Sequence, residues 1–190
     1  MTKILEDKMR GENIKKIEFL GVVISSAISI FMINICKISS LDVWPVLLGA
    51  INESAWEKIK VFTIYFLIWG AIEFCLIKIP AKRFIVAKVA GVYLFIFLFI
   101  LEFAFKSLGN IAFDGLIDTI LWIIWYAVSF YVSYIILISD IYIDDLFIFS
   151  LLMLILYFSM YLSFTINPPH ISLFKDDSLQ IYGIPLYKMR

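Results

Sequence analysis

Histidine occurs once in 190 residues, cysteine twice, proline five times and glycine eight times, and neither sign of charge prevails: 16 basic side chains meet 16 acidic ones. Each scarcity removes a class of protein. Cys36 and Cys75 both lie in apolar stretches, with no second cysteine or histidine at ligand spacing, so neither a disulfide framework nor a zinc site is indicated. Both read as small core hydrophobes. A balanced charge leaves no basic surface for nucleic acid. Few prolines and glycines leave little punctuation for a β-rich chain.

What the sequence does contain is apolar surface. Hydrophobic residues make up 63% and aromatic residues 17%, with a mean hydropathy of +0.97. A soluble domain runs at about 45–50% apolar, and a single small core cannot hide the excess. The sequence reads as an integral membrane protein, an all-α bundle with the lipid bilayer as its first partner. About 20 apolar residues are needed to cross the hydrocarbon, and five stretches qualify, at about 17–36, 61–77, 84–105, 119–139 and 146–166. The first is too long for the hydrophobic part of a cleaved signal and ends without a small-residue cleavage site, so it is expected to remain as an anchor. Without a repeat or a low-complexity linker, residues 1–190 read as one domain, with a structured tail at 167–190.

Orientation follows from lysine and arginine in short loops. Lys3, Lys8, Arg10, Lys15 and Lys16 precede the first span, and Lys78, Lys82, Arg83 and Lys88 surround the second connection. Both clusters belong in the cytoplasm. Alternation then puts 37–60, 106–118 and the tail outside. Against this, the loop 140–145 has no basic residue although it falls on the cytoplasmic side, while the tail has Lys175, Lys188 and Arg190.

Ionisable groups at membrane depth are expensive and therefore informative. Glu73 lies four residues before the end of span two and Lys88 four after the start of span three, so the two have similar depth and can pair as a structural bridge or snorkelling contact. A proton or cation relay through Glu73 is the alternative. Glu102 and Asp118 fall near the outer ends of spans three and four, and Asp118 faces the positive end of a helix dipole.

The segment NESAWEKIK, residues 52–60, concentrates polar groups just before a span. Ser54 followed by Glu57 is a capping box, in which Ser54 caps the helix and Glu57 returns to the Ser54 amide. Trp56 fits the interfacial aromatic belt, and Lys58 and Lys60 fit snorkelling lysines. If the helix instead begins after Pro45 or Gly49, Glu53 and Glu57 stack at i and i+4 and need a cation or a donor between them. Asn52, Glu53, Trp56, Glu57 and Lys60 are therefore candidate ligand-binding residues.

In the tail, Pro168 and Pro169 end span five. Apolar residues recur at alternate positions on either side of 175–178, so ISLF (171–174) and LQIY (179–182) read as a short hairpin. An isolated hairpin is marginal in water, which suggests a lid packed on the outer mouth of the bundle. His170 and Asp176 lie there and join the candidate set. A lone histidine beside two prolines is also ordinary surface chemistry.

With Asn52, Glu53, Ser54, Trp56, Glu57 and Lys60, and with Pro168, Pro169, Leu173, Phe174, Asp176, Tyr182 and Gly183, the sequence resembles a group of small multi-pass bacterial membrane proteins classed as a domain of unknown function. Their pattern reads NES, any residue, WEH, any residue, K near the second span, and PP with LF, D and YG near the C-terminus. The resemblance covers nearly the whole chain and implies a bacterial plasma membrane location, but it brings no reaction, cofactor or metal with it. Two positions depart from the pattern. Lys58 stands where the family usually has histidine, and Ser178 and Leu179 stand where it has Thr-Gly. The first departure argues against a transition-metal enzyme.

Three functions are open. The first is binding or transport of a small solute or cation at an outer-face polar site under the hairpin. The second is a membrane-embedded enzyme using Glu53 or Glu57 with His170. The third is a non-catalytic accessory protein. No nucleophile elbow, phosphate loop or HExxH helix favours the enzyme, and no internal repeat favours translocation over binding. Oligomeric state is not legible. The site expectation is specific: residues near Glu53 and Glu57, Glu102, and His170 and Asp176 share one polar pocket completed by Lys58, Lys60 or a cation, against the alternative of separate solvated charges.

Overall fold

The computed structural model describes residues 2–35, 43–109, 111, 114–139, 141–143, 145–176 and 178–183. Cys36, Lys37, Asp140, Ile184, Lys188 and Arg190 lie outside them. Six helices follow in order: α1 (Thr2–Ile35), α2 (Val43–Leu48), α3 (Ala55–Leu76), α4 (Ala81–Gly109), α5 (Gly115–Ile138) and α6 (Leu146–Ile166). Five are long and apolar enough to cross a membrane, the first over Gly11–Asn34. Helix α6 has the expected bounds, whereas α1, α3, α4 and α5 start before the expected apolar runs, α3 at its Ser54 cap. The short α2 gave no length signal.

Helices α1, α3, α4 and α5 close a ring, each packed on its chain or ring neighbour, and α6 lies outside against α4. Lipid tails are as apolar as leucine, so the hydrophobic effect does not hold such helices together, and close packing must. Aromatic rings supply much of it. Tyr126, fully buried, sits edge-on to Phe62, Phe66, Phe95 and Phe130 with centroids 5.0 to 5.8 Å away. Gly91 lets α4 approach: a Cβ there would stand 2.6 Å from the Phe66 ring and 3.1 Å from the Ser129 carbonyl.

Helix α6 is polar toward the protein and apolar outward. Ser150, Tyr157, Tyr161 and Thr165 are its buried residues, while Ile148, Leu152 and Ile155 are exposed. Its hydroxyls anchor it: Tyr157 shares a 2.8 Å hydrogen bond with Thr63 of α3, and Tyr161 donates to the Leu47 carbonyl. Cys75, expected in a core, faces outward on α3. Its neighbour Glu73 takes the inward position instead, since only one of two residues two apart on a helix can face the bundle.

At the end opposite the tail, Ile14, Ile79, Phe84, Ala87 and Leu137 form a small apolar cluster. Arg83 crosses there to the α5–α6 connection and donates to the Ser139 and Ile141 carbonyls, the latter at 2.6 Å. The loop that has no base of its own thus borrows one from its neighbour.

The tail hairpin differs from its expected register. Residues 172–174 form a 3-10 turn rather than a strand, and the paired strands are β1 (Lys175–Asp176) and β2 (Ile181–Tyr182), with Lys175 opposite Tyr182. The alternation of Ile171 and Leu173 was misleading because Phe174 turns inward to pack on α3 and α6. Asp176, expected in the turn, closes it from the strand: its Oδ1 accepts from the Ser178 amide at 2.9 Å and the Leu179 amide at 3.1 Å.

Candidate functional site

Ser54 is the N-cap of α3, in extended backbone geometry, and its hydroxyl accepts from the Glu57 amide at 3.4 Å. Only half of the expected box forms. Glu57 does not return to the Ser54 amide, which donates to Asn52 Oδ1 at 2.9 Å; the Glu57 carboxylate accepts from the Ile51 amide at 3.0 Å. The loop before the helix offers its own amides, and the nearer acceptor takes each. Ser54→Ala should cost on the order of 1 kcal/mol, read as a lower unfolding midpoint.

Because α3 begins at Ala55, Glu53 lies before the helix and the i, i+4 carboxylate stack does not form. Glu57 instead pairs with Lys60 at 2.6 Å, both side chains being almost wholly buried, and Lys60 also donates to the Val46 carbonyl at 3.0 Å. Lys60 therefore does not snorkel to headgroups: α2 folds over it and supplies a carbonyl partner. Trp56 also departs from the aromatic belt. It is buried, with the rings of Phe164 and Phe174 each 5.2 Å away, because the tail lies over the helix start.

The two sequence motifs clasp each other. Asn52 Nδ2 donates to the Gly183 carbonyl at 2.9 Å, and the Glu53 amide donates to Asp176 Oδ2 at 2.9 Å. Gly183 has φ +68°, and a Cβ there would press on the Pro168 ring at 3.0 Å, so glycine suits both the turn and the proline beneath it. His170 is exposed and stacks on Tyr182 at 4.6 Å and 12°. The structure thus brings Asn52, Glu53 and Asp176 together, keeps Glu57 and Lys60 as a separate buried pair, and leaves His170 on the outside of the hairpin.

Burial alone would raise the Asp176 carboxyl, but hydrogen bonds from the Glu53 amide, the Ser178 hydroxyl and the Leu179 and Ser178 amides outweigh it and hold the group below its ordinary value. A depressed carboxyl contributes stability above its unfolded value, and that contribution fades as pH falls through the folded one. Amide protection factors at residues 178–183 should therefore fall on acidification below about pH 4. In Asp176→Asn the protection should be low throughout and show no such fall.

Beside the clasp lies a cavity of about 220 Å³, walled by α3, α4 and α5 and roofed by Lys175 and Ser178 of the hairpin. Three acids, Glu53, Glu102 and Asp118, line it with three lysines, Lys58, Lys106 and Lys175. Lys106 bridges Glu102 and Asp118, the latter at 2.7 Å, and the Trp125 indole donates to Glu102 at 2.6 Å. Lys58 stands over the Trp122 ring, 5.1 Å from its centroid. A second cavity of about 240 Å³ shares Glu53, Lys58 and Trp122 and adds Asn34, Asn52 and Thr119. Compared with known proteins, the chain matches no family model, no curated protein and no solved structure. Among the described residues no three His, Cys, Asp or Glu side chains gather to hold a metal.

A second polar centre lies at the other end of the bundle. Lys88 binds Glu18 at 2.9 Å and also binds Glu73, and the Ser133 hydroxyl donates to Glu18 at 2.8 Å. The expected Glu73–Lys88 pair forms, but with a third member that sequence reasoning missed. Glu18 stands one residue inside the first expected span and reads there as a headgroup-level acid. A usable signal was present: Ile14, Glu18, Ser25 and Ser29, all buried, share one stripe of α1.

Proposed function

We propose that this integral membrane protein binds a small solute carrying both a cationic and an anionic group, in the cavity beneath the hairpin. The observation that supports this is the lining: three carboxylates and three ammonium groups are held around one indole face under a latched roof. Such a surface has no net preference for either sign, yet offers each end of a zwitterion an opposite partner. Its volume, below the roughly 300–1,000 Å³ of drug-sized pockets, suits a solute of amino-acid or headgroup scale.

In this reading the chain belongs to the family with the NES and PP motifs, sits in a bacterial plasma membrane with its N-terminus in the cytoplasm, and presents the hairpin outside. The hydrogen bonds that join the two motifs support their being one functional unit. The basic residues at the N-terminal end, with Arg83 serving the α5–α6 loop, support the orientation. Of the residues named from sequence, Glu53 lines this cavity and Asn52 the one beside it, and Asp176 fastens the hairpin that roofs it; Trp56, Glu57, Lys60 and His170 line neither cavity. The enzyme alternative gains no support, since Glu57 is held by Lys60 and the Ile51 amide while His170 stacks outward on Tyr182.

The test is thermal unfolding of the full chain in lipid nanodiscs with glycine, γ-aminobutyrate or phosphoethanolamine, against spermidine and inorganic phosphate as single-sign controls. A zwitterion at 100 times its Kd should stabilise by about 2.7 kcal/mol. Lys58→Met and Glu102→Gln should each remove that stabilisation. If no zwitterion stabilises the protein, or if the effect survives both substitutions, the binding reading fails. The accessory reading, favoured by the clasp itself, then takes its place.

A further inference from the structure

We infer that Glu18, Glu73 and Lys88 form a proton-binding site inside the membrane region, distinct from the hairpin-end cavity. Two carboxylates of α1 and α3 share one ammonium of α4, and all three side chains are at most 4% exposed. With both acids ionised the cluster carries one uncompensated negative charge. At membrane depth such a charge is expensive, and binding one proton removes it.

Among the described residues, Lys88 is the base placed against both carboxylates. From α1, Lys16 is exposed, and Lys15, also exposed, lines with Glu18 an apolar cavity of about 210 Å³; Lys78, beyond the end of α3, and Lys82 of α4 are exposed as well. Arg83 is engaged with the Ser139 and Ile141 carbonyls. Helix α5 contributes the Ser133 hydroxyl, which already donates to Glu18 Oε1, and Tyr134 packed on the neighbouring apolar cluster.

Hydrogen bonding leads to the same result independently of the charge count. Glu18 Oε1 accepts from both Lys88 and Ser133, whereas Glu18 Oε2 and Glu73 Oε1 are buried without a hydrogen-bond partner among the described residues. A buried acceptor without a donor is costly. A proton on either carboxyl turns one of these orphan oxygens into a donor and neutralises the charge in the same step.

The site fits a proton better than a metal cation. Hard cations take shells of six or more oxygens. Here the ammonium already occupies the centre, and the rings of Phe66, Phe84 and Phe130 lie 5.3 to 5.5 Å from it. The Lys88 stem packs along α3 at Gly70, where an added Cβ would make ordinary contact 3.5 Å from its Cδ and Cγ.

The decisive measurement is infrared spectroscopy of the full chain in nanodiscs, titrated between pH 5 and 9 in H2O and D2O. The wild type should show a protonated carboxyl stretch at neutral pH that shifts in D2O. It should be lost in Glu73→Gln and in Glu18→Gln, because the remaining carboxylate then pairs one-to-one with Lys88. Glu12→Gln, at an exposed position, should retain it. No protonated carboxyl in the wild type at neutral pH would overturn the inference, and this reading does not depend on the variants folding. Persistence of the band in both variants would place the proton elsewhere and also overturn it. A rise in stability with Na⁺ or K⁺ at constant ionic strength, absent with choline, would identify a metal cation instead and overturn it as well.

Discussion

Lys88→Met should destabilise the protein by about 3–5 kcal/mol at neutral pH, the largest loss expected from any single substitution at the N-terminal end of the bundle. The ammonium is the only group that binds both Glu18 and Glu73 among the described residues, so its removal leaves two buried carboxyls facing each other and three phenyl rings. The loss should shrink on acidification, because protonated carboxyls need no counter-ion. A triple variant, Lys88→Met with Glu18→Gln and Glu73→Gln, should recover most of the stability, since replacing a whole buried ion cluster by neutral groups of similar volume is often close to neutral. Unfolding in mixed micelles with increasing denaturing detergent reads all three effects. A single variant as stable as the wild type would show that the cluster is hydrated rather than dry.

Glu57→Leu should cost a similar amount, about 3–5 kcal/mol, by a different route. It strands the Lys60 ammonium, 1% exposed, with one carbonyl for company, and it deprives the Ile51 amide of its acceptor. The loop before α3 should loosen as well as the helix, so hydrogen exchange at residues 49–54 should rise along with the fall in global stability. Adding Lys60→Met should restore much of the global loss but not the protection of the Ile51 amide. That split distinguishes a charge effect from a packing effect. If Glu57→Leu and Lys60→Met are independent and additive, the buried pair has no energetic coupling.

The bundle was legible from residue counting because crossing hydrocarbon demands long apolar runs whatever the fold. The Ser54 cap was legible for a similar reason, as its chemistry is local. Where partners come from far away in sequence, local rules gave the wrong partner. Lys60 looked like a snorkelling lysine because nothing nearby in sequence showed that α2 would cover it. Glu57 looked like half of a box because its competitor, the Ile51 amide, depends on the path of the preceding loop. Residues 171–174 alternated like a strand, yet Phe174 had an aromatic pocket waiting between α3 and α6. The cavity lining was partly legible: Glu53, Glu102 and Lys58 belong to the expected pocket, whereas Glu57, Lys60, His170 and Asp176, expected there, do not line it, and Asp118, Lys106, Lys175 and Trp122 line it outside that expectation. Their role depends on helix ends meeting in space.

The distribution of charge over helices also bears on how the chain enters the membrane. Glu18 is on the first crossing helix, Glu73 on the second and Lys88 on the third, so the positive partner is the last of the three to be synthesised. The first two helices therefore meet the bilayer with unpaired acids, and their stable integration waits for the third: α1, α3 and α4 are built to insert as a set. Helix α6 has no such dependence. It carries no charge, and its hydroxyls can bond to its own backbone, as Ser159 and Thr165 do. It can settle in lipid alone and dock last, keeping those bonds while Tyr157 and Tyr161 gain Thr63 and the Leu47 carbonyl once the ring has closed.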